Sequence, residues 1–180
     1  MSPTPAPRLI VCSRDDAPRH ARSCSHALSI DDSGASPTAL PDIAPVAHHH
    51  ATFDDIVTPA PIQVGTMTLV PPTRTTMLAL IRALDVILGD DPQCVLIHCA
   101  AGRRRSPAAA YILYAHLFGP GAEQEALAAM VGACTCERPE PNPLMLAYAD
   151  RLLDHGGRLL GAAWPMLNPA EWLTLPDLTA

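Results

Sequence analysis

Apolar positions along this chain change period several times, and each change predicts an element. The short runs LIVCS (9–13) and HALSI (26–30), bounded by polar clusters, predict buried strands. HHHATF (48–53) predicts a return to the sheet and runs into Asp54-Asp55-Ile56; VLIH (95–98) predicts a further strand. Elsewhere the period lengthens. Met77, Ile81, Leu84 and Leu88 fall at i, i+4, i+7 and i+11, which predicts a helix over 74–88 that Gly89 can end. Ser106 is expected to cap a second helix, with Pro107 in its first turn and Gly119-Pro120 beyond its end. Leu127, Met130, Val131 and Cys134 make one stripe of a third helix. Asn142-Pro143 starts a fourth, which Gly156-Gly157 stops. Segment 31–47, rich in Asp, Ser, Ala and Pro, reads as a surface loop. So does 57–73, with four prolines, and loops of that length are often functional. Strands interleaved with helices predict the α/β class. The expected layout is a loose proline-rich tail (1–8), one domain (9–163), and an extension (164–180) whose Trp164 and Trp172 are expected to pack back on the domain, with a partner as the alternative.

Composition narrows the classes. A chain of 180 residues, 48% hydrophobic, can bury one sizeable core. No apolar run reaches bilayer length, and the first residues lack the charged-then-apolar pattern of a secretory signal, so a cytoplasmic location is expected. Net charge is −6, and all twelve basic residues are arginine. A nucleic-acid binder shows a broad basic surface. Here the one dense cluster is Arg103, Arg104 and Arg105, which indicates a local anion site. The six cysteines read as free thiols, and the lone pair Cys134/Cys136 lacks further ligands for zinc. Adjacent strand residues point to opposite faces, so His48, His49 and His50 do not make a metal site either. No metal or cofactor is expected.

The chemistry concentrates in VLIHCAAGRRRSP (95–107). A cysteine at a strand end, followed by a tight loop and a helix, sits where loop N–H groups and the helix dipole converge on an anion. The same field stabilises a thiolate, so Cys99 reads as a nucleophile. Ala100, Ala101 and Gly102 form the cradle backbone, and Gly102 supplies angles that a side chain would forbid. Arg105 offers a planar fork to phosphate oxygens. Ser106 can donate a hydrogen bond to the sulfur, and His98 can orient the loop. Arg103 and Arg104 are candidates to meet additional anionic groups, or are simply a solvated turn.

HCAAGRRRS resembles the H-C-x-x-G-x-x-R-S signature of the protein tyrosine phosphatase superfamily, including its dual-specificity branch, with Cys99 and Arg105 at the C-x5-R positions. SHALSI, FDDI, PNP, AD and GGR add weaker likeness to small bacterial members over residues 9–162. The resemblance implies a single α/β domain around a mostly parallel sheet of about four to five strands. It also implies phosphomonoester hydrolysis through a phosphocysteine, with an upstream aspartate as acid and then base. Asp55 in FDDI is the better match for that aspartate and Asp54 its alternative. A proline-rich stretch separates this pair from the signature. Basic residues in the loop resemble those of phosphatases acting on highly charged substrates. The expected substrates are phosphotyrosine or phosphoserine/threonine in proteins, or alternatively inositol phosphates or lipid headgroups. A non-catalytic phosphate-binding module is a third class. Sulfur transfer or arsenate reduction would not need Asp55, and Cys94 stands roughly 16 Å along the strand from Cys99, too far to resolve it.

Overall fold

A computed structural model describes residues 6–44 and 47–168. Four strands form a parallel sheet: β1 (Arg8–Ser13), β2 (His26–Asp31), β3 (His48–Thr52) and, after a long excursion, β6 (Cys94–Cys99), in the order β1-β6-β2-β3. β6 and β2 are buried at every position. That is how strands covered on both faces read, as continuous apolar runs. The register brings Ser13 of β1 and Ile30 of β2 level with Cys99, so three strands end together.

Alternation along the strands sorts side chains between two layers. Leu9, Val11, Leu28, Ile30, Val95, Ile97 and Cys99 face the main core. Over it pack α2 (Arg74–Gly89), α3 (Arg105–Phe118), α4 (Glu123–Ala133), α5 (Pro143–Leu152) and α6 (Arg158–Ala163). Cys12, Ala27, Cys94 and Leu96 face the other way, under the five-residue α1 (Ala17–Ala21) and the loop that follows β2. Among the described residues, no helix is long and apolar enough to cross a membrane.

Several expectations are revised. Segment 57–73 is not only loop: β4 (Ile62–Val64) and β5 (Met67–Leu69) form an antiparallel hairpin. Its signal was present as apolar alternation around Gly65-Thr66, with Gly65 at φ 61. α2 starts from a Thr73–Thr76 capping box, and Leu80 and Ile87 join its buried face while Leu88 is only partly buried. In α4 Val131 is exposed and Ala126 is buried instead. Gly156-Gly157 not only follows α5; Gly157, at φ 86, opens α6. Asp150 caps that helix, accepting from the N–H groups of Gly157 (2.5 Å), Leu159 (2.8 Å) and Leu160 (3.2 Å). The AD and GGR pieces of the sequence likeness are therefore one capping device. β1 begins at Arg8, inside the expected tail, and Tyr114 donates its hydroxyl to the Pro7 carbonyl. Trp164, on a 3-10 turn (Trp164–Met166), is half exposed, whereas Leu167 beside it is buried. Trp172 lies outside the described residues.

Candidate active site

Residues 99–105 link the end of β6 to α3. The turn requires Gly102, which has φ 69; a Cβ there would lie 2.4 Å from the backbone of Cys12 and of Ser13. The carbonyls of Ala100, Arg103 and Arg104 accept from the N–H groups of Arg14 (3.2 Å), Glu140 (2.9 Å) and Asn142 (3.2 Å). A trans peptide places C=O and the next N–H on opposite sides. Carbonyls spent on surrounding segments therefore turn the N–H groups of Ala101, Arg104 and Arg105 away from those segments, the orientation that an anion nest requires.

Cys99 is buried, and its sulfur lies 3.2 Å from Ser106 Oγ. Ser106 is not the helix cap that its position predicts. Arg104 occupies the cap position without a side-chain cap bond, and Ser106 lies inside the first turn, its hydroxyl committed to the thiol. Arg105 is 3% exposed. Its two terminal nitrogens donate to the Phe53 carbonyl (2.7 Å) and to Asp32 (2.5 Å). Its Nε is buried with no partner among the described residues. An orphaned guanidinium donor costs free energy when buried; beside a nest of N–H groups, an oxyanion would satisfy it.

His98 is fully buried, and its Nε2 lies 2.6 Å from Ser29 Oγ, which also meets His48 Nε2 at 2.7 Å. Burial pushes His98 down to about 4, so the ring is neutral at pH 7.

The two aspartates of FDDI have different surroundings. Asp54 is buried, and its carboxylate accepts from the Ser33 N–H (3.0 Å), the Ser33 hydroxyl and the Val70 N–H (2.6 Å). Burial alone would raise its pKa. The bonds from Ser33 and Val70, together with the Arg105 charge, hold it below the usual value. Asp55 is exposed and accepts from the Asn142 amide (2.8 Å), with Arg104 Nε at 3.3 Å. Arg103 and Arg104 both reach Glu140, at 2.6 and 3.9 Å. The expected contacts of these arginines with substrate thus compete with carboxylates already beside them.

Sequence reasoning missed Asp32, Arg14 and Asn142. Arg14 Nη2 lies 3.4 Å from Asp32 and 3.3 Å from Asp31, so one carboxylate tethers two arginines. Asn142 caps α5 through Oδ1, bonding the N–H groups of Leu144 and Met145, and holds Asp55 and the Ile56 carbonyl through its amide. The cap was legible; its second half was not. The signal for Asp32 was its place just past the end of β2, because the crevice beyond the carboxyl ends of parallel strands is where ligands bind. Among the described residues, no group of three or more His, Cys, Asp or Glu could hold a metal ion.

No family model and no curated protein matches the chain in sequence. Solved structures match in fold. Human DUSP28 is 17% identical, with a TM-score of 0.58, covering 83% of this chain and 93% of that one. A mouse dual specificity phosphatase candidate complexed with zinc tungstate is 17% identical, with a TM-score of 0.57, covering 91% and 90%. PTPMT1 in complex with PI(5)P is 15% identical, with a TM-score of 0.50, covering 86% and 91%. The chain therefore has the α/β fold of the dual-specificity and tyrosine-phosphatase-like proteins.

Proposed function

We propose that the chain is a cysteine-dependent phosphatase that hydrolyses phosphomonoesters, with phosphotyrosine or dual-specificity protein substrates as the first class. One observation carries the reading: the loop that runs from Cys99 into α3 sets the buried Cys99 sulfur against the Ser106 hydroxyl and carries Arg105, whose buried Nε has no partner among the described residues.

Phosphate oxygens would accept from the loop N–H groups and from the Arg105 donors left after Phe53 and Asp32. The Cys99 sulfur attacks phosphorus as the ester P–O bond breaks, and the Asp55 carboxyl gives its proton to the departing oxygen. Water then attacks the phosphocysteine. Asp55, now carboxylate, takes its proton, and the S–P bond breaks with the Ser106 hydroxyl donating to the leaving sulfur. Asp55 is favoured over Asp54 because both Asp54 oxygens are committed to the loop that holds them. Neutral His98 would position the loop from behind through Ser29. The chemistry calls on no metal or cofactor.

The second reading is an inositol phosphate or phosphoinositide substrate. It is supported by the shared fold with PTPMT1, solved with PI(5)P, and by the arginine run. Arg103 and Arg104 would have to leave Glu140 and Asp55 to serve it. A phosphate-binding module without turnover is the third.

Turnover of an aryl phosphate, phosphopeptides and inositol phosphates by the purified chain separates these. Cys99→Ser should abolish hydrolysis while keeping phosphate affinity, and Asp55→Ala should slow poor leaving groups by about 10²–10⁴. An unchanged rate in Cys99→Ser would sink the mechanism. Phosphate binding without turnover by the native chain would leave the module.

A further inference from the structure

The end of the sheet opposite the catalytic loop carries a second thiol pair. Cys24, in the turn between α1 and β2, and Cys94, the first residue of β6, place their sulfurs 2.8 Å apart. Both are buried on the thinner side of the sheet, with Cys12, Ala27 and Leu96 around them; Cys24 keeps 9% exposure. Neighbouring bonds fix the approach. The Ser25 N–H and hydroxyl both donate to the Cys94 carbonyl, at 3.1 and 3.3 Å. Arg8 sets a guanidinium nitrogen 3.5 Å from the Cys94 sulfur. A disulfide has its sulfurs about 2.05 Å apart, so closure needs a movement of about 0.8 Å. Cys94 is fixed in a strand, but Cys24 sits in a turn that can make that movement.

Nothing in the proposed mechanism uses these thiols. Cys94 and Cys99 are opposite ends of one strand, separated by about 16 Å, so the pair cannot exchange with the nucleophile inside one molecule.

We propose that Cys24 and Cys94 form an oxidation site at which a peroxide-class oxidant makes a disulfide, stapling the start of β2 to the start of β6. This does not rest on the phosphatase reading. The Cys94 sulfur, facing Arg8, attacks one peroxide oxygen; the O–O bond breaks, leaving a sulfenic acid and one water. The Cys24 sulfur then attacks the Cys94 sulfur, and the S–O bond breaks with release of a second water. Two thiols lose two electrons and two protons, and the peroxide is reduced to two waters. Burial and the neighbouring Cys94 push the Cys24 thiol up to about 12, so Cys94, beside Arg8, meets the peroxide first and the attack by Cys24 is the slower step. The bond closes a loop between residues 70 apart in sequence. It should raise the melting temperature by about 5–10 °C, less than the full chain-entropy expectation for a loop of that size.

The test uses the full chain carrying Cys99→Ser, which removes the competing nucleophile. After dilute hydrogen peroxide, alkylation of remaining thiols and digestion without reductant, mass spectrometry should find the Cys24 and Cys94 peptides joined. The joined species should disappear with dithiothreitol and be absent from Cys24→Ala. The oxidised chain should melt higher than the reduced one. With Cys99 intact, Cys24→Ala should keep the native turnover, because the site lies at the far end of the sheet. Recovery of both cysteines alkylated after oxidation, or as unlinked sulfinic acids, would overturn the proposal. So would a linkage that joins either of them to Cys12, Cys134 or Cys136. Should Cys24→Ala fold poorly, Cys94→Ser in the same background gives the same reading of the linked peptide.

Discussion

Arg104 changes meaning between sequence and structure. In the sequence it is the middle of a basic run and a candidate to meet a polyanion. In the fold its Nε lies 3.3 Å from Asp55, whose other partner is the Asn142 amide. Its side chain is 20% and that of Asp55 29% exposed, so the pair is partly solvated and worth about 0.5–1 kcal/mol. If Asp55 is the acid, Arg104 positions it. Arg104→Ala should then lower kcat by about 2–5-fold on a leaving group that needs a proton, and much less on one that does not. The alkaline limb of the pH–rate profile should move with it. Arg103→Ala, whose side-chain contact among the described residues is with Glu140, should leave that limb in place. Equal losses on both leaving groups would show that Arg104 merely braces the loop. Preference for polyanions should change little in either variant, because carboxylates already sit beside both arginines.

At the scale of elements, the candidate loop was legible because its distinctive residue types follow one another within one short stretch, although much of what holds them comes from far along the chain. Strand, Cys99, Gly102, Arg105 and helix follow within a dozen residues, and each has a type that the geometry demands. Gly102 is the sharpest case. A Cβ there would meet the Cys12 and Ser13 backbone at 2.4 Å, and φ is 69. Backbone cannot step aside as a side-chain end can. Gly102→Ala should cost at least about 2–4 kcal/mol in urea unfolding and lower turnover as the nest distorts. Gly132 gives the contrast. It sits within α4, with open space where its Cβ would be, so Gly132→Ala should be neutral or stabilise by up to about 1 kcal/mol. Comparable losses in the two variants would remove the steric account of the loop. What periodicity did not reveal were partners brought from far along the chain. Arg105 meets Asp32 across 73 positions, and Asn142 meets Asp55 across 87. The β4–β5 hairpin was obscured for a different reason, since its short strands lie among four prolines that read as loop.

Across the whole molecule, the strands fix a polar chain, buried at Ser29 and His98 and partly buried at His48, that no local motif announces. His98 of β6, Ser29 of β2 and His48 of β3 lie on neighbouring parallel strands, and their side chains form two hydrogen bonds through one hydroxyl. Register puts Ser29 beside His98, so the sheet order itself builds the contact. Burial lowers His98 to about 4; burial, then the His50 charge, lowers His48 to about 4 as well, and His49 shifts the same way. An unfolded histidine titrates near 6.5. Below that pH the unfolded chain takes up protons that the native rings refuse, so stability falls as pH drops from 6.5 to about 4. For His98 and His48 together the loss should be on the order of 3–5 kcal/mol. The acidic window is different. His155, the Gly121 N–H and Arg158 hold the Glu123 carboxyl down to about 2 against the cost of burial. Its contribution is complete above pH 4.5 and disappears only as pH falls toward 2. Urea midpoints between pH 7 and pH 4 should therefore decline mainly through the histidines. His48→Gln should flatten that decline, and Glu123→Gln should not. A native chain whose urea midpoint is constant from pH 7 to pH 4 would show that these rings are not held neutral in the fold.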